Sequence, residues 1–257
     1  MLEAVHEVAP SIYNFCHLSY SEPTILSFQG HQVGSCEGNQ QGDPLGPLQY
    51  AVTSQPILDA IESELVLGYL DDLTLGGAAN VLVADMERVV SLAGGLGLVL
   101  NTAKCEIISC SGFESVPDVF LGFRHLSRGE CELLGSPLLV GPAMDYLLAA
   151  KCDNLDRAVG RLPLLSAHDS LLILKNSLSS PKLLYTLRTS PCVGHPGLDR
   201  FDAALRKALA SVSNVVITDL GWVQASLPVG NGGLGIRSVA MLAPSAFLAS
   251  AAATLGL

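Results

Sequence analysis

The sequence predicts an α+β fold, with strands and helices mixed in residues 1–126 and helices alone from residue 143 onward. Three observations carry this. Short runs of strand-favouring residues flank Asp71-Asp72 and also lie around Phe28 to Ser35, with helical stretches between them. A Gly- and Pro-marked stretch, Gly135-Ser136-Pro137 to Gly141-Pro142, then changes the pattern. Beyond it the apolar residues recur with helical spacing. With 257 residues and 49% hydrophobic content, the chain can bury a substantial core, most simply in two lobes.

Taken in order, Met1 to Ala9 reads as a helix, and Phe28 to Ser35 as a hairpin. Asp43 is a good helix N-cap and Pro44 a good first helical residue, so a helix is expected from Pro44 through an apolar run to Ile61. Glu64 to Gly68 and Leu73 to Gly77 form a second hairpin, Ala79 to Gly94 a helix and Lys104 to Ser109 a strand. A further turn falls at Gly122. Helical segments follow near 143–160, 168–187 and 197–213, with Pro181 kinking or ending the second. Gly230 to Gly235 fits G-x-G-x-x-G, but the residues after it contain no acidic group for a ribose, so it reads as a turn before a C-terminal helix. Ser238 to Leu257 carries no charge; it is rich in Ala and Ser, broken by Pro244, and reads as a buried helical tail rather than a membrane span.

Tyr69-Leu70-Asp71-Asp72 concentrates the chemistry. An acidic pair amid apolar sequence needs a counter-charge, and no Lys or Arg lies within ten residues on either side. Carboxylate-only ligation points to a hard cation, Mg²⁺ or Mn²⁺, with Asp71 and Asp72 as its ligands. Successive strand residues face opposite ways, so both serve one ion only if the chain bends between them, a bend that Gly68 and Gly76-Gly77 would permit.

Four segments in order carry a resemblance: Gln40-Gln41-Gly42-Asp43-Pro44-Leu45-Gly46-Pro47, the Tyr69 to Asp72 box, Gly97-Leu98-Val99-Leu100-Asn101-Thr102-Ala103-Lys104, and Phe120-Leu121-Gly122-Phe123. In this order and spacing the chain resembles the reverse transcriptase domain of non-LTR (LINE-type) retroelements. The resemblance implies a partial polymerase palm over residues 1–126, an antiparallel sheet with packed helices. A linker follows over 127–142, then a helical thumb-like region with its C-terminal extension over 143–257. It also implies RNA-directed DNA polymerase activity by a two-metal mechanism, on an RNA template, a DNA primer and dNTPs. Asp71 and Asp72 would then be catalytic metal ligands, and Lys104 would neutralise or protonate the leaving pyrophosphate. Gln41, Gly42, Asp43, Pro44 and Tyr69 would lie beside nucleotide and template. Arg157, Arg161, Lys175, Lys182, Arg188, Arg206 and Lys207 would supply a phosphate-facing stripe.

The chain also departs from that family. Its polymerases carry a further aspartate on an earlier strand, and residues 1–38 contain no Asp. The expectation is therefore an N-terminally truncated chain, a weakly held metal and impaired catalysis. The alternative is a non-catalytic retroelement remnant acting as an interaction or oligomerisation module through exposed palm surface. The net charge of −10 has the wrong sign for gripping a polyanion, so the chain alone is expected to bind nucleic acid weakly. Residues 1–110 hold thirteen acidic and two basic residues, among them acids read as ordinary helix surface: Glu3, Glu7, Glu62, Glu64, Asp85 and Glu87. Seven cysteines in no paired array fit reduced thiols, and no basic segment precedes an apolar core at Met1, so an intracellular location, cytoplasm or nucleus, is expected. Cys192 and His195 have ligand-like spacing without a second pair, which argues against zinc.

Overall fold

A computed structural model of the protein describes residues 1–109 and 117–255. Of these, 1–105 and 117–123 form one compact unit, and 106–109 and 124–255 another.

The first unit opens with α1 (Leu2–Val8) and α2 (Pro10–Tyr20). Pro10 sits in the first turn of α2, where its missing N–H costs nothing, and Ala9 breaks the run between the two helices. The sequence reading missed α2 because its residues bury little; Cys16 is its one buried position. Strands β1 (Thr24–Phe28) and β2 (His31–Ser35) pair antiparallel around Gln29-Gly30, both at positive φ as a two-residue hairpin turn requires. Helix α3 (Gly46–Asp59) is shorter at both ends than the expected Pro44 to Ile61. Strands β3 (Leu65–Tyr69) and β4 (Asp72–Gly76) make a second antiparallel hairpin, and α4 (Ala79–Gly95) follows. Ile57 of α3 and Val89 and Ala93 of α4 form a small core, against which Ile61, Leu73 and Met86 pack.

The second unit holds short strands and most of the helices. Strand β5 (Glu106–Ile108) pairs with β6 (Arg124–Leu126) in parallel, and β7 (Glu132–Leu133) with β8 (Ser136–Pro137) antiparallel. The four ladders among the described residues are each two-stranded, so where one antiparallel sheet was expected over 1–126 there are two separate hairpins and a parallel pair. The mixed α+β class stands. Helix α5 (Pro142–Val159) packs on α8 (Pro196–Ser213), and α7 (Leu184–Thr189) on α10 (Val239–Thr254), with α6 (Ala167–Ile173) and α9 (Asp219–Ser226) around them.

The core of this unit is large: Met144, Leu148, Leu155, Leu183, Leu187, Phe201, Leu205, Leu209 and Ile236 are all fully or almost fully buried. The helical run after α6 widens into a π turn at Leu174–Leu178, where Ser179 N–H donates to the Leu174 carbonyl at 3.0 Å. A 3₁₀ turn, Ser180–Lys182, then carries Pro181 before α7. The Gly230 to Gly235 turn is closed by its own backbone, Gly233 N–H to Pro228 O at 3.1 Å and Gly235 N–H to Leu227 O at 2.9 Å. Helix α10 is buried at Val239 and Ala243, while Met241 and Leu248 face solvent, so the tail is only partly covered. Among the described residues no helix is long and apolar enough to cross a membrane.

Candidate functional site

Tyr69 and Asp72 are the last paired residues of the β3–β4 hairpin, which leaves Leu70-Asp71 as a two-residue loop. Tight loops of this kind need positive φ at their first position to match strand twist, and Leu70 sits at φ +55°. A leucine there costs about 1–3 kcal/mol, strain of the kind that clusters at functional turns. The chain therefore turns at Leu70-Asp71, just ahead of Asp72, and not at the glycines the sequence pointed to. Gly68 instead lies mid-strand, where an added Cβ would be 3.1 Å from Leu58 Cδ1 of α3. Opposed residues share a face. Gly68 and Leu73 thus face α3 and the small core, while Leu65, Leu67 and Tyr69 (61% exposed) share the open face with Asp72.

Asp71 and Asp72 are both exposed, and neither has an ion-pair partner among the described residues. Asp71 is felt by Tyr50 of α3, whose phenol is pushed up first by burial and then by the Asp71 charge. That places the hairpin tip within electrostatic range of α3. Carboxylates such as these are oxygen donors of the kind a hard divalent ion takes. Among the described residues no group of three or more His, Cys, Asp or Glu could close a metal site, so these two groups would leave most of the ion's shell to water and substrate.

The Gln41 to Pro44 segment behaves differently from its sequence reading. Asp43 does not cap α3 directly, since the helix begins two residues beyond Pro44, with Leu45 in the capping position. One Asp43 oxygen accepts the Leu45 N–H at 2.8 Å, an Asx turn, and the other accepts the Tyr20 hydroxyl of α2. The Tyr20 bond first, then the Leu45 N–H, holds the Asp43 carboxyl below its ordinary range. This carboxylate is committed to folding the loop. Gln41, Gly42 and Pro44 remain exposed, and Gly42 takes φ +94° with open space around it, leaving its backbone approachable. Lys104 lies in a 3₁₀ turn, Thr102–Lys104, instead of a strand; it is exposed and makes no ion pair among the described residues. The strand expected from Lys104 begins at Glu106, because the Lys104 and Cys105 N–H groups are used in that turn.

Asp85, expected from the sequence at the helix surface, is instead buried. Its side chain is 0% exposed. It accepts the Glu62 N–H at 3.0 Å, the Ser63 hydroxyl, and Arg88 Nη1 at 2.7 Å, while Arg88 also reaches Glu62 at 3.1 Å. Burial opposes ionisation, yet the Ser63 hydroxyl, the Glu62 and Ser63 N–H groups and Arg88 outweigh it and hold the carboxyl low. A signal existed: Asp85, Val89 and Ala93 are four residues apart and form the buried stripe of α4. In the second unit the basic stripe is partly spent. Arg206 binds the Ile217 carbonyl and Asp219, and Arg157 binds Asn154. Arg161, Arg188 and Lys207 are exposed and make no ion pair among the described residues.

Comparison with known proteins gives a distant likeness. Over 219 residues, 83% of its length, the chain is 24% identical to the Retrotransposable element SLACS 132 kDa protein of Trypanosoma brucei gambiense. The chain spans 18% of the length of that protein. No protein-family model matches the chain, and no solved structure matches it. The likeness supports a retroelement relation for this chain.

Proposed function

We propose that the chain carries part of the nucleotidyl-transfer centre of a retroelement RNA-directed DNA polymerase, with Asp71 and Asp72 as its metal-binding carboxylates. The observation that carries this reading is the acidic pair at a strained, solvent-open hairpin tip with no cationic partner among the described residues. The distant likeness to a retrotransposable element protein supports it. Asp71 and Asp72 would hold Mg²⁺ or Mn²⁺, which when bound supplies charge stabilisation to the attacking and leaving oxygens of phosphorus. The exposed backbone at Gln41-Gly42 and the exposed Tyr69 ring orient nucleotide and template, and Lys104 delivers a proton to the leaving pyrophosphate. Asp43 acts by shaping its loop.

The test is primer extension on an RNA template with dNTPs and Mg²⁺ or Mn²⁺. Incorporation that disappears in Asp71→Ala supports the reading, and no incorporation above background at high metal overturns it for this chain. A second reading, an interaction or oligomerisation module without catalysis, is favoured by the open apolar face of Leu65, Leu67 and Tyr69. It predicts concentration-dependent self-association, and a strictly monomeric chain would count against it.

A further inference from the structure

We infer that Asp85 is a positioning residue that fixes the direction in which the β3–β4 hairpin presents Asp71 and Asp72, an inference that rests on the metal-binding reading above. The hairpin is a lone two-stranded ladder among the described residues, and such ladders are marginal by themselves. It therefore needs external tethers. One is the Gly68–Leu73 face against Leu58 and the small core. The other is its root. Glu62 and Ser63 stand just ahead of β3, with Glu64 between, and both are tied to a single fully buried carboxylate on α4. Arg88, one turn along the same helix, grips Asp85 and reaches Glu62, so the root is held from two sides.

The geometry distinguishes a positioning role from simple packing. A helix that only needed filling at this position would bury an apolar residue, as it does at Val89 and Ala93. A carboxylate instead fixes the direction of several N–H and O–H donors at once, and leaving them unmade in a buried site is costly. Losing it frees the root of the hairpin while the Leu73 contact remains. The tip, several residues further on, then samples a wider range of directions. Paired carboxylates that must converge on one ion are sensitive to that loosening.

Amide hydrogen exchange and Mn²⁺-induced broadening of the Leu70 to Leu73 amide signals test this together, on the whole chain. Asp85→Asn is expected to speed exchange in β3 and β4 at least tenfold, leave the second unit unchanged, and weaken Mn²⁺ binding at the tip at least threefold. Exchange within twofold of the parent, or acceleration spread evenly through the first unit, would overturn the inference. If Asp85→Asn does not fold, Ser63→Ala, which removes one hydroxyl donor, decides the matter with an expected threefold acceleration confined to the hairpin. Absence of Mn²⁺ broadening in the parent protein would sink the metal-binding reading, while the exchange arm would still decide whether Asp85 holds the hairpin.

Discussion

Replacing Asp202 by Ala should destabilise the second unit by about 2–3 kcal/mol, because it removes three hydrogen bonds at a helix start. Asp202 of α8 is 9% exposed and stands at the start of α10. It accepts the Val239 N–H at 2.8 Å, the Ala240 N–H at 3.3 Å and the Ser238 hydroxyl. Two of these donors are N–H groups at a helix N-terminus, which has no internal acceptors for them. Ser238 still caps the Met241 N–H at 3.2 Å in the variant, so the helix end is not wholly lost. Each charge-assisted bond is worth roughly 1.5 kcal/mol or more, and part of the total is returned because a buried carboxylate no longer has to be desolvated.

Burial is the main reason the Asp202 carboxyl is raised, against the opposing pull of Ser238, Val239 and Ala240. Its folded-state value lies above the unfolded one, so the protonated form is favoured by folding. Stability from this group is fullest below the unfolded value and falls as pH rises through the folded one. Asp202→Asn, which does not titrate, should therefore lack that fall and cost less than Asp202→Ala. The assay is urea unfolding followed by Trp222, the single tryptophan of the chain, which packs against the core of this unit. A loss of about 2–3 kcal/mol moves the midpoint down by roughly 1–2 M urea for a domain of this size. A midpoint shift corresponding to less than about 0.5 kcal/mol would refute the argument.

Three further outcomes follow from the first unit. Leu70→Gly should remove the left-handed strain and stabilise the hairpin by about 1 kcal/mol, read as slower amide exchange in β3 and β4; faster exchange would contradict the strain argument. Asp71→Asn should lower the Tyr50 phenol, because the neighbouring negative charge is gone, and ring-labelled tyrosine NMR against pH measures this. Leu67→Lys on the open face should reduce any self-association seen by sedimentation without lowering the unfolding midpoint, since the residue is 45% exposed.

Much of the local architecture was legible because its signals are local. The two hairpins, the helix at Ala79, and the break near Pro181 are set by residues within a few positions of one another. What escaped is decided by distant partners. Asp43 looked like a cap and became a loop staple because Tyr20, twenty-three residues away, reaches it. Asp85 and Asp202 are charged residues on amphipathic helices, and composition assigns such residues to the surface. Their spacing told otherwise: Asp85 precedes Val89 and Ala93 at helical intervals, and Asp202 lies between the buried Phe201 and Leu205. A buried acid becomes tolerable only when N–H and O–H donors converge on it, and those donors come from segments that no local pattern places there. The Leu70 turn escaped for a related reason, since glycines nearby made the better candidates for a bend.

The most direct test of the central claim is Mn²⁺ titration of the isotopically labelled chain, observed through its backbone amides. The account predicts broadening that begins at Leu70 to Leu73 and is abolished by Asp71→Asn. Broadening that starts elsewhere, or that persists at the hairpin when Asp71 is neutralised, would contradict it.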